Sequence, residues 1–355
     1  MVRFELIPTR NGALIGEILL DTPGTLNAQN LQMVLAMRQQ LAQWHADPTV
    51  VAIVIHGAGE RALCAGGDIK ALYYAMLDPE RIHEADDFFA NEYLLCRELH
   101  RYPKPVLAWG NGLIMGGGWG LFAASSHRVV TETAQLAMPE IAIGLFPDVG
   151  ASAWLGELAD GVGRFLLLTA SRLNATDALA AGAADWALPA ASFATVREAM
   201  TELGWLGQPH IDAHMLSQLI DALGGALQPT LPEGNWQPLR AQVTELVAGD
   251  DLDTIVARID ALQSDHPWLQ NAQMQLRAGS PTSIALGWAL AQRAVGMAYD
   301  DVVAMETLAA QHAVRYSDFR EGVRARLIDR DGAPQWAARP KASDIETWLV
   351  ARNQK

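Results

Sequence analysis

Cysteine is nearly absent from this sequence, since only Cys64 and Cys96 occur among its 355 residues. Two cysteines cannot provide the disulfide framework of a small secreted protein, and so low a content suits a reducing compartment. The N-terminus also lacks the basic start and apolar core of a secretory signal peptide. These absences predict a cytoplasmic protein.

Positive charge is scarce as well. Lysine and arginine total 26 against 40 aspartates and glutamates, which gives a formal net charge of −14. Nucleic-acid binding requires a basic face, and no basic cluster stands out in the sequence. We therefore expect no nucleic-acid partner, and an anionic ligand would have to meet local positive charge.

Several catalytic motifs are missing. No Gly-x-Ser-x-Gly occurs, so a nucleophile-elbow serine has no anchor. The nine histidines contain no His-Glu-x-x-His and the cysteines are not spaced for zinc, so no metal is expected. Residues 110–116 miss the dinucleotide-binding spacing by one residue, and no bound cofactor is predicted. His56 and His127 have apolar surroundings that favour strand-end residues over ligands.

Charged residues are also absent between positions 105 and 126, a length of about twenty residues that can span a bilayer. The segment holds six glycines, however, and begins with the strand-like Pro-Val-Leu-Ala-Trp. Because glycine-rich segments keep a helix poorly, a strand, a tight turn and a buried helix start are predicted instead. No membrane partner is expected.

Half of the residues are hydrophobic, which is enough for a large buried core. Residues 12–21 are strand-like, and Asn27 is placed to cap a helix that runs to Asp47 and stops at Pro48. Residues 50–56 are an unbroken β-branched run, typical of a parallel strand buried on both faces. This strand, helix, strand order predicts an α/β fold.

Two glycine-rich loops follow predicted strands. The first covers residues 57–70, at the end of a buried strand, where α/β proteins usually bind ligands, although a simple connecting turn fits equally well. A helix over residues 86–100, with Phe88, Phe89, Leu95 and Leu99 inward, and a strand over residues 105–109 lead to the second loop. There Gly116, Gly117 and Gly118 open a helix, which leaves backbone N–H groups free to hold an oxyanion.

Two carboxylates follow the second loop. Glu140 and Asp148 lie in an irregular segment punctuated by Pro139 and Pro147, which is hard to explain as packing alone. Acids close to an oxyanion site are typical of acyl chemistry.

Beyond residue 190 the chain is predicted to be helical. Residues 224–238 are a Gly/Pro-rich break, and amphipathic segments follow at 281–297 and 301–314. We divide the chain into a core of residues 1–190 and a C-terminal helical region of residues 191–355 that packs on it.

Three motifs together carry a family resemblance: Cys-Ala-Gly-Gly-Asp-Ile from residue 64, Asn-Gly with Met-Gly-Gly-Gly over residues 111–118, and Met-Pro-Glu with Ile-Gly-Leu over residues 138–145. In this order and spacing the chain resembles the crotonase (enoyl-CoA hydratase/isomerase) superfamily. The resemblance implies a spiral of repeated ββα units that binds acyl-CoA. It also implies that the N–H groups of Gly67 and Gly117 hold the thioester oxygen.

Other stretches resemble a hydrolase branch of that superfamily, which acts on short-chain β-hydroxyacyl-CoA thioesters. They are Gly-Leu-Phe-Pro-Asp-Val-Gly from residue 144, Ser-Pro-Thr-Ser from residue 280 and Asp-Phe-Arg-Glu-Gly-Val-Arg from residue 318. The hydratases use two glutamates, and the place of the first is Gly120 here, which cannot transfer a proton. A hydratase of the usual kind is therefore disfavoured.

Thioester hydrolysis assigns roles to the remaining residues. Glu140 attacks the carbonyl or activates the water that does, and Asp148 with Glu92 holds the acyl hydroxyl or the hydrolytic water. Ala65 and Arg61 are assigned to substrate binding.

Two other functions stay open at this stage: another crotonase reaction, such as an isomerase or atypical hydratase, and a noncatalytic CoA-binding scaffold. The resemblance also leaves self-association into a homo-oligomer open.

Overall fold

A computed structural model describes residues 1–316 and 318–350. These residues form a mixed α/β fold, as the sequence predicts. The strands are Val2–Pro8 (β1), Leu14–Leu20 (β2), Val50–Gly57 (β3), Ala62–Cys64 (β4), Val106–Gly110 (β5), Leu113–Met115 (β6), His127–Val130 (β7), Gln135–Ala137 (β8), Leu173–Asn174 (β9) and Trp186–Ala187 (β10).

Helices connect these strands and make up most of the chain after β10. They are Leu31–Ala46 (α1), Ile69–Met76 (α2), Ile82–His100 (α3), Gly117–Ala123 (α4), Ala151–Trp154 (α5), Val162–Thr169 (α6), Ala175–Ala181 (α7), Phe193–Glu202 (α8), Pro209–Leu227 (α9), Arg240–Leu246 (α10), Leu252–Asp260 (α11), Pro267–Ala278 (α12), Pro281–Ala294 (α13), Tyr299–Tyr316 (α14), Phe319–Val323 (α15) and Ala342–Trp348 (α16). No helix within the described residues is long and apolar enough to cross a membrane.

The chain forms two compact units, each assembled from three separate stretches. Unit 1 contains residues 1–67, 95–136 and 173–234, and unit 2 contains residues 68–94, 137–172 and 235–355. The division of the sequence at residue 190 stays a prediction.

Unit 1 is built around a six-stranded sheet in the order β1-β2-β3-β5-β7-β10. The β1–β2 pair is antiparallel, and the other neighbouring pairs are parallel. Residues 50–55 of β3 are all buried between β2 and β5. The prediction of a parallel strand buried on both faces is therefore confirmed, and its physical basis is that helices cover both sides of such a sheet.

The start of α1 differs from the prediction. Asn30, not Asn27, caps the helix by accepting the Met33 N–H at 3.0 Å. The Asn27 side chain is buried and instead donates to the carbonyls of Ala58 and Ala62 at 3.0 and 2.8 Å. Asn27 fails as a cap because its amide joins the β2–α1 connection to the loop after β3. The helix ends at Ala46, just before Pro48 as expected.

Other helix ends differ from the predicted ones by a few residues. Helix α3 begins at Ile82 rather than Asp86, and the four apolar residues predicted to face inward are all buried. Helix α9 continues through Gly224 and Gly225 to Leu227, so the break that the sequence predicts from residue 224 begins four residues later, at Gln228. In unit 2, the two amphipathic segments predicted near the C-terminus are confirmed as α13 and α14.

Candidate active site

The glycine cluster of unit 1 opens a helix, as predicted. Gly116 has a φ of 51°, and α4 starts at Gly117. Packing as well as backbone conformation requires glycine here, because a Cβ on Gly118 would lie 2.2 Å from the Cys64 carbonyl oxygen. The N-terminal end of α4 is thereby held against β4, and the first N–H groups of a helix have no partner within it.

The loop after β4 lies beside this helix end. Gln29 donates its backbone N–H to the Gly66 carbonyl at 2.8 Å and forms a parallel bridge with Gly67. A Cβ on Gly66 would lie 3.6 Å from the Gly117 nitrogen. The Gly67 and Gly117 N–H groups have no hydrogen-bond acceptor within residues 1–316 and 318–350. Two neighbouring loops thus each have one backbone N–H without an acceptor among these residues.

Ala65 and Arg61, the other two residues of this loop that are predicted to bind substrate, use their backbone groups in hydrogen bonds within the protein. Ala65 donates its N–H to the Leu26 carbonyl at 3.0 Å, so that N–H is already used. The Arg61 carbonyl accepts the Leu113 N–H at 3.0 Å, while the Arg61 side chain is exposed. Arg61 is therefore available to an anionic group in solution.

Unit 2 brings together the three carboxylates that the sequence singles out. Glu92 lies on α3, Glu140 begins the 3-10 turn Glu140–Ile143, and Asp148 stands three residues before α5. Their exposed fractions are 2%, 5% and 3%, so all three are buried. Carboxylates are almost never buried without a partner, and a buried group of acids is characteristic of a functional site.

Gly144 sets the course of the chain between two of these acids. It has a φ of 77°, and a Cβ there would lie 2.3 Å from the Asp318 carbonyl oxygen. The adjacent Leu145 N–H donates to the Glu140 carbonyl at 3.1 Å. A glycine is thus required by both backbone conformation and close approach, directly after the turn that carries Glu140.

Burial and mutual repulsion raise the pKa values of the acids. Burial raises the pKa of Glu140 well above its usual range, and the charges of Asp148 and Glu92 raise it further. Burial, followed by the charge of Asp148, also raises the pKa of Glu92. Burial raises the pKa of Asp148 to about 7, although a hydrogen bond from Tyr93 acts in the opposite direction. The three acids therefore repel one another within a buried cluster, and each is harder to ionise than a carboxyl group in water.

Two carboxylate oxygens in the cluster have no hydrogen-bond partner among the described residues. Glu140 Oε2 and Glu92 Oε1 are buried and accept no hydrogen bond from any residue that the structure describes. Leaving a buried acceptor unsatisfied costs about 1–3 kcal/mol, and more for a charged group. Such oxygens are suited to contact a substrate or a water molecule.

Two residues of this region are missed by the sequence analysis as site residues. Tyr93 is fully buried and donates its phenol O–H to Asp148 Oδ2 at 2.7 Å. Glu306, on α14, is also fully buried and accepts the N–H groups of Gly150 and Ser152. The sequence could have indicated Glu306, because it is an acid on the apolar face of an amphipathic helix, between the buried Met305 and Ala309.

His56 and His127, which the sequence analysis interprets as strand-end residues, each lie close to polar groups of the protein. His127 Nε2 lies 3.0 Å from the Ala213 carbonyl and 3.1 Å from Ser217 Oγ, and its ring stacks on Trp186. Burial lowers the pKa of His127. His56 lies at the end of β3, where its Nε2 is 3.5 Å from Glu17 Oε1.

Comparisons with known proteins identify the family of this chain. The family model described as enoyl-CoA hydratase/isomerase matches residues 15–351. Because the match covers nearly the whole sequence, the chain belongs to the enoyl-CoA hydratase/isomerase family, and the crotonase-like fold is confirmed.

Particular relatives extend over the same length. The chain is 33% identical over 322 residues to the mitochondrial 3-hydroxyisobutyryl-CoA hydrolase of Xenopus laevis, covering 90% of this chain and 81% of the relative. A solved structure of an enoyl-CoA hydratase from Rhodobacter sphaeroides 2.4.1 is 32% identical, with a TM-score of 0.80 and coverage of 98% and 97%. A carnitinyl-CoA dehydratase from Mycobacterium thermoresistibile is 28% identical, with a TM-score of 0.83 and coverage of 99% and 97%.

Proposed function

We infer that this chain hydrolyses the thioester bond of a short-chain β-hydroxyacyl-CoA, with 3-hydroxyisobutyryl-CoA as the first substrate to test. The observation that carries the proposal is the buried Glu140, whose Oε2 has no partner among the described residues and which lies in one cluster with Asp148 and Glu92. The name of the Xenopus laevis relative supports the choice of substrate.

Glu140 is assigned to the thioester carbonyl. In direct attack, a Glu140 oxygen bonds to the carbonyl carbon, the C–S bond breaks, and CoA leaves as a thiolate that then takes a proton. Water cleaves the resulting mixed anhydride, which releases the free acid and restores Glu140. The alternative is that Glu140 acts as a general base and removes a proton from the attacking water. The family resemblance favours direct attack.

The other assigned residues serve the same carbonyl and the acyl chain. The N–H groups of Gly67 and Gly117 stabilise the oxyanion that forms during attack, a contribution of roughly 3–4 kcal/mol per donor in other acyl-transfer enzymes. Asp148 and Glu92 hold the acyl hydroxyl or the hydrolytic water. Ala65 and Arg61 contribute to binding of the CoA portion, and no separate cofactor is proposed.

A hydratase or isomerase reaction is the second candidate, because the two solved structures are named as a hydratase and a dehydratase. Gly120 argues against the usual hydratase, since it stands where the resemblance places the first of two catalytic glutamates. A lone Glu140 could still serve an isomerase or an atypical hydratase. A noncatalytic CoA-binding scaffold would perform neither reaction.

One assay on the purified protein separates these functions. We expect free thiol to be released from 3-hydroxyisobutyryl-CoA and related β-hydroxyacyl-CoAs, and little loss of enoyl absorbance with crotonyl-CoA. Efficient hydration without thiol release would replace the hydrolase proposal with an atypical hydratase. Neither signal, with CoA still bound, would favour the scaffold.

The central residue is tested by Glu140→Gln, which keeps the side-chain shape but removes the charge needed for attack or proton abstraction. Turnover should fall by at least ~10², while acyl-CoA binding persists. Glu157→Gln makes the same chemical change at an exposed position of unit 2 and should leave turnover unchanged. Near-normal thioesterase activity in Glu140→Gln would remove Glu140 from the mechanism.

The proposed substrate also implies a role in valine catabolism, which stays a proposal. The expected cytoplasmic location and self-association likewise stay predictions, and the Xenopus laevis relative is named as a mitochondrial protein.

A further inference from the structure

Glu306 makes a two-point contact with the backbone that follows Asp148. Its Oε2 accepts the Gly150 N–H at 2.6 Å, and its Oε1 accepts the Ser152 N–H at 3.0 Å. The N–H between them, that of Ala151, donates to the Asp148 carbonyl at 2.8 Å. Three successive N–H groups are therefore fixed within four residues of the Asp148 side chain, two of them by a single carboxylate from α14.

The segment held in this way has an unfavourable backbone conformation. Val149 has a φ of 54° and Gly150 a φ of 86°. A positive φ is a genuine outlier for a β-branched residue and persists only when the surrounding structure enforces it. The space is also restricted, because a Cβ on Gly150 would lie 2.1 Å from the Tyr299 hydroxyl oxygen.

Electrostatics couples the two acids directly. Burial raises the pKa of Glu306 to about 7, the hydrogen bonds from Ser152 and Gly150 oppose this, and the charge of Asp148 raises it again. Burying a second negative charge close to Asp148 raises the free energy of the folded state, and a turn could be fixed without a carboxylate. Its presence is easier to explain if the position of Asp148 matters for the reaction.

We propose that Glu306 is a positioning residue for the hydrolase reaction, which fixes the orientation of Asp148 by holding the Gly150 and Ser152 N–H groups. The inference rests on the proposed function, because it assigns to Glu306 an effect that operates through Asp148. Glu306 itself is not placed in contact with substrate.

The test is a double-mutant cycle between Glu306→Gln and Asp148→Asn. In Glu306→Gln the amide oxygen still accepts one N–H, but the NH₂ group faces the other donor, so the two-point contact is lost. We expect kcat for 3-hydroxyisobutyryl-CoA to fall by about tenfold or more, a barrier change of about 1.4 kcal/mol, with little change in KM. In the Asp148→Asn background the same substitution should lower kcat by less than about twofold, because residues that act as one unit are not additive.

Glu306→Asp separates the reach of the side chain from its charge. It keeps the carboxylate but is one methylene shorter, so we expect a loss of kcat similar to that of Glu306→Gln and the same non-additivity with Asp148→Asn. If Glu306→Gln does not fold, this second cycle decides the question. Wild-type kcat in Glu306→Asp would overturn the proposal.

Asp212→Ala is the matched control. Asp212 is a buried carboxylate that accepts the Leu206 N–H at 2.8 Å in unit 1, and alanine has no acceptor there, so this substitution also removes a buried contact between a carboxylate and the backbone. We expect a lower Tm with kcat within about twofold of wild type.

The outcomes distinguish the two proposals. If the loss of kcat in the double variant equals the product of the losses in the two single variants, Glu306 and Asp148 act independently. Glu306 then has a merely structural role and the inference is overturned, while the hydrolase function stands. Absence of thiol release by the wild-type protein would instead overturn the proposed function, and the inference with it.

Discussion

Tyr93 and Asp148 are joined by a buried hydrogen bond, in which the phenol O–H donates to Asp148 Oδ2 at 2.7 Å across 55 residues of sequence. The bond favours the ionised form of Asp148 and opposes the effect of burial, which raises the pKa of Asp148 to about 7. The same burial raises the pKa of Tyr93, so the phenol stays protonated and remains a donor at neutral pH. The pair therefore keeps one carboxylate of the cluster able to ionise near neutrality.

The first prediction concerns the pH dependence. Tyr93→Phe removes the donor, so the pKa of Asp148 should rise and the acid limb of kcat/KM should move to higher pH. A hydrogen bond to a charged group of about 1.5 kcal/mol corresponds to a shift of about one pH unit. Activity relative to wild type should thus be lowest at about pH 6 and recover by about pH 9. The measurement is kcat/KM for 3-hydroxyisobutyryl-CoA against pH.

The control for this substitution is Tyr102→Phe. Tyr102 also donates its O–H within the protein, to the Leu41 carbonyl at 2.9 Å, but its acceptor does not titrate. Its acid limb should coincide with that of wild type. An unmoved limb in Tyr93→Phe would show that ionisation of Asp148 does not control the rate.

The second prediction concerns recognition of the substrate hydroxyl. If Asp148 accepts a hydrogen bond from the β-hydroxyl, Asp148→Asn should lower kcat/KM strongly for 3-hydroxyacyl-CoA and less for the acyl-CoA without the hydroxyl. The expected difference is about 1.5–3 kcal/mol, or roughly ten- to a hundredfold. Steady-state kinetics on the two substrates measure it directly. Equal losses on both would assign Asp148 to hydrolysis in general, for example to orienting water.

The third prediction compares two glycines with the same φ. Gly144 and Gly182 both have a φ of 77°, but nothing lies within 4 Å of a Cβ at Gly182, whereas at Gly144 it would clash with the Asp318 carbonyl. Gly182→Ala should cost about 1–2 kcal/mol of unfolding free energy for the left-handed conformation alone. Gly144→Ala should cost at least about 1–3 kcal/mol more, because the backbone must also move.

Urea unfolding of the two alanine variants provides the measurement. Since the Gly144 segment carries Glu140, the Gly144 variant should also lose turnover, whereas the Gly182 variant should retain it. Equal destabilisation of the two proteins would mean that the close approach at Gly144 is easily relieved.

The fourth prediction concerns affinity for CoA. CoA carries several phosphate charges and the protein has a net charge of −14, so local cations are needed to bind it. Arg61 and Lys70 are both exposed and flank the Gly66–Gly67 loop in the sequence. Charge reversal at both should weaken CoA binding at low salt, with a smaller effect at high salt because ions screen exposed charges. Calorimetry with CoA at two salt concentrations tests this.

Charge reversal at Arg10 and Arg101 supplies the control, because it changes the net charge equally at two other exposed arginines. That variant should bind CoA almost as wild type does. Equal affinity of the Arg61/Lys70 variant and this control at low salt would place the phosphate site elsewhere.

Sequence reasoning succeeds here where a local pattern decides the outcome. The β-branched run at residues 50–56 predicts a buried parallel strand, and the glycines at residues 116–118 predict a helix start with a free N–H. Glu140 also stands out from the sequence, because an acid in a family motif is visible without knowing its neighbours. The helix cap is the counterexample: Asn27 and Asn30 are equally able to cap by residue type, and a contact with distant carbonyls decides between them.

The sequence by itself determined the class of fold, the helix that opens at Gly117 and the identity of the acids, because these depend on residue type and short-range spacing. Tertiary structure alone decided the chemical state of those acids. Tyr93 reaches Asp148 across 55 residues, and Glu306 reaches Gly150 across 156. Burial and Coulomb interaction depend on distance in space, not in sequence, so the raised pKa of Asp148 and the two-point contact of Glu306 exist only once the chain has folded.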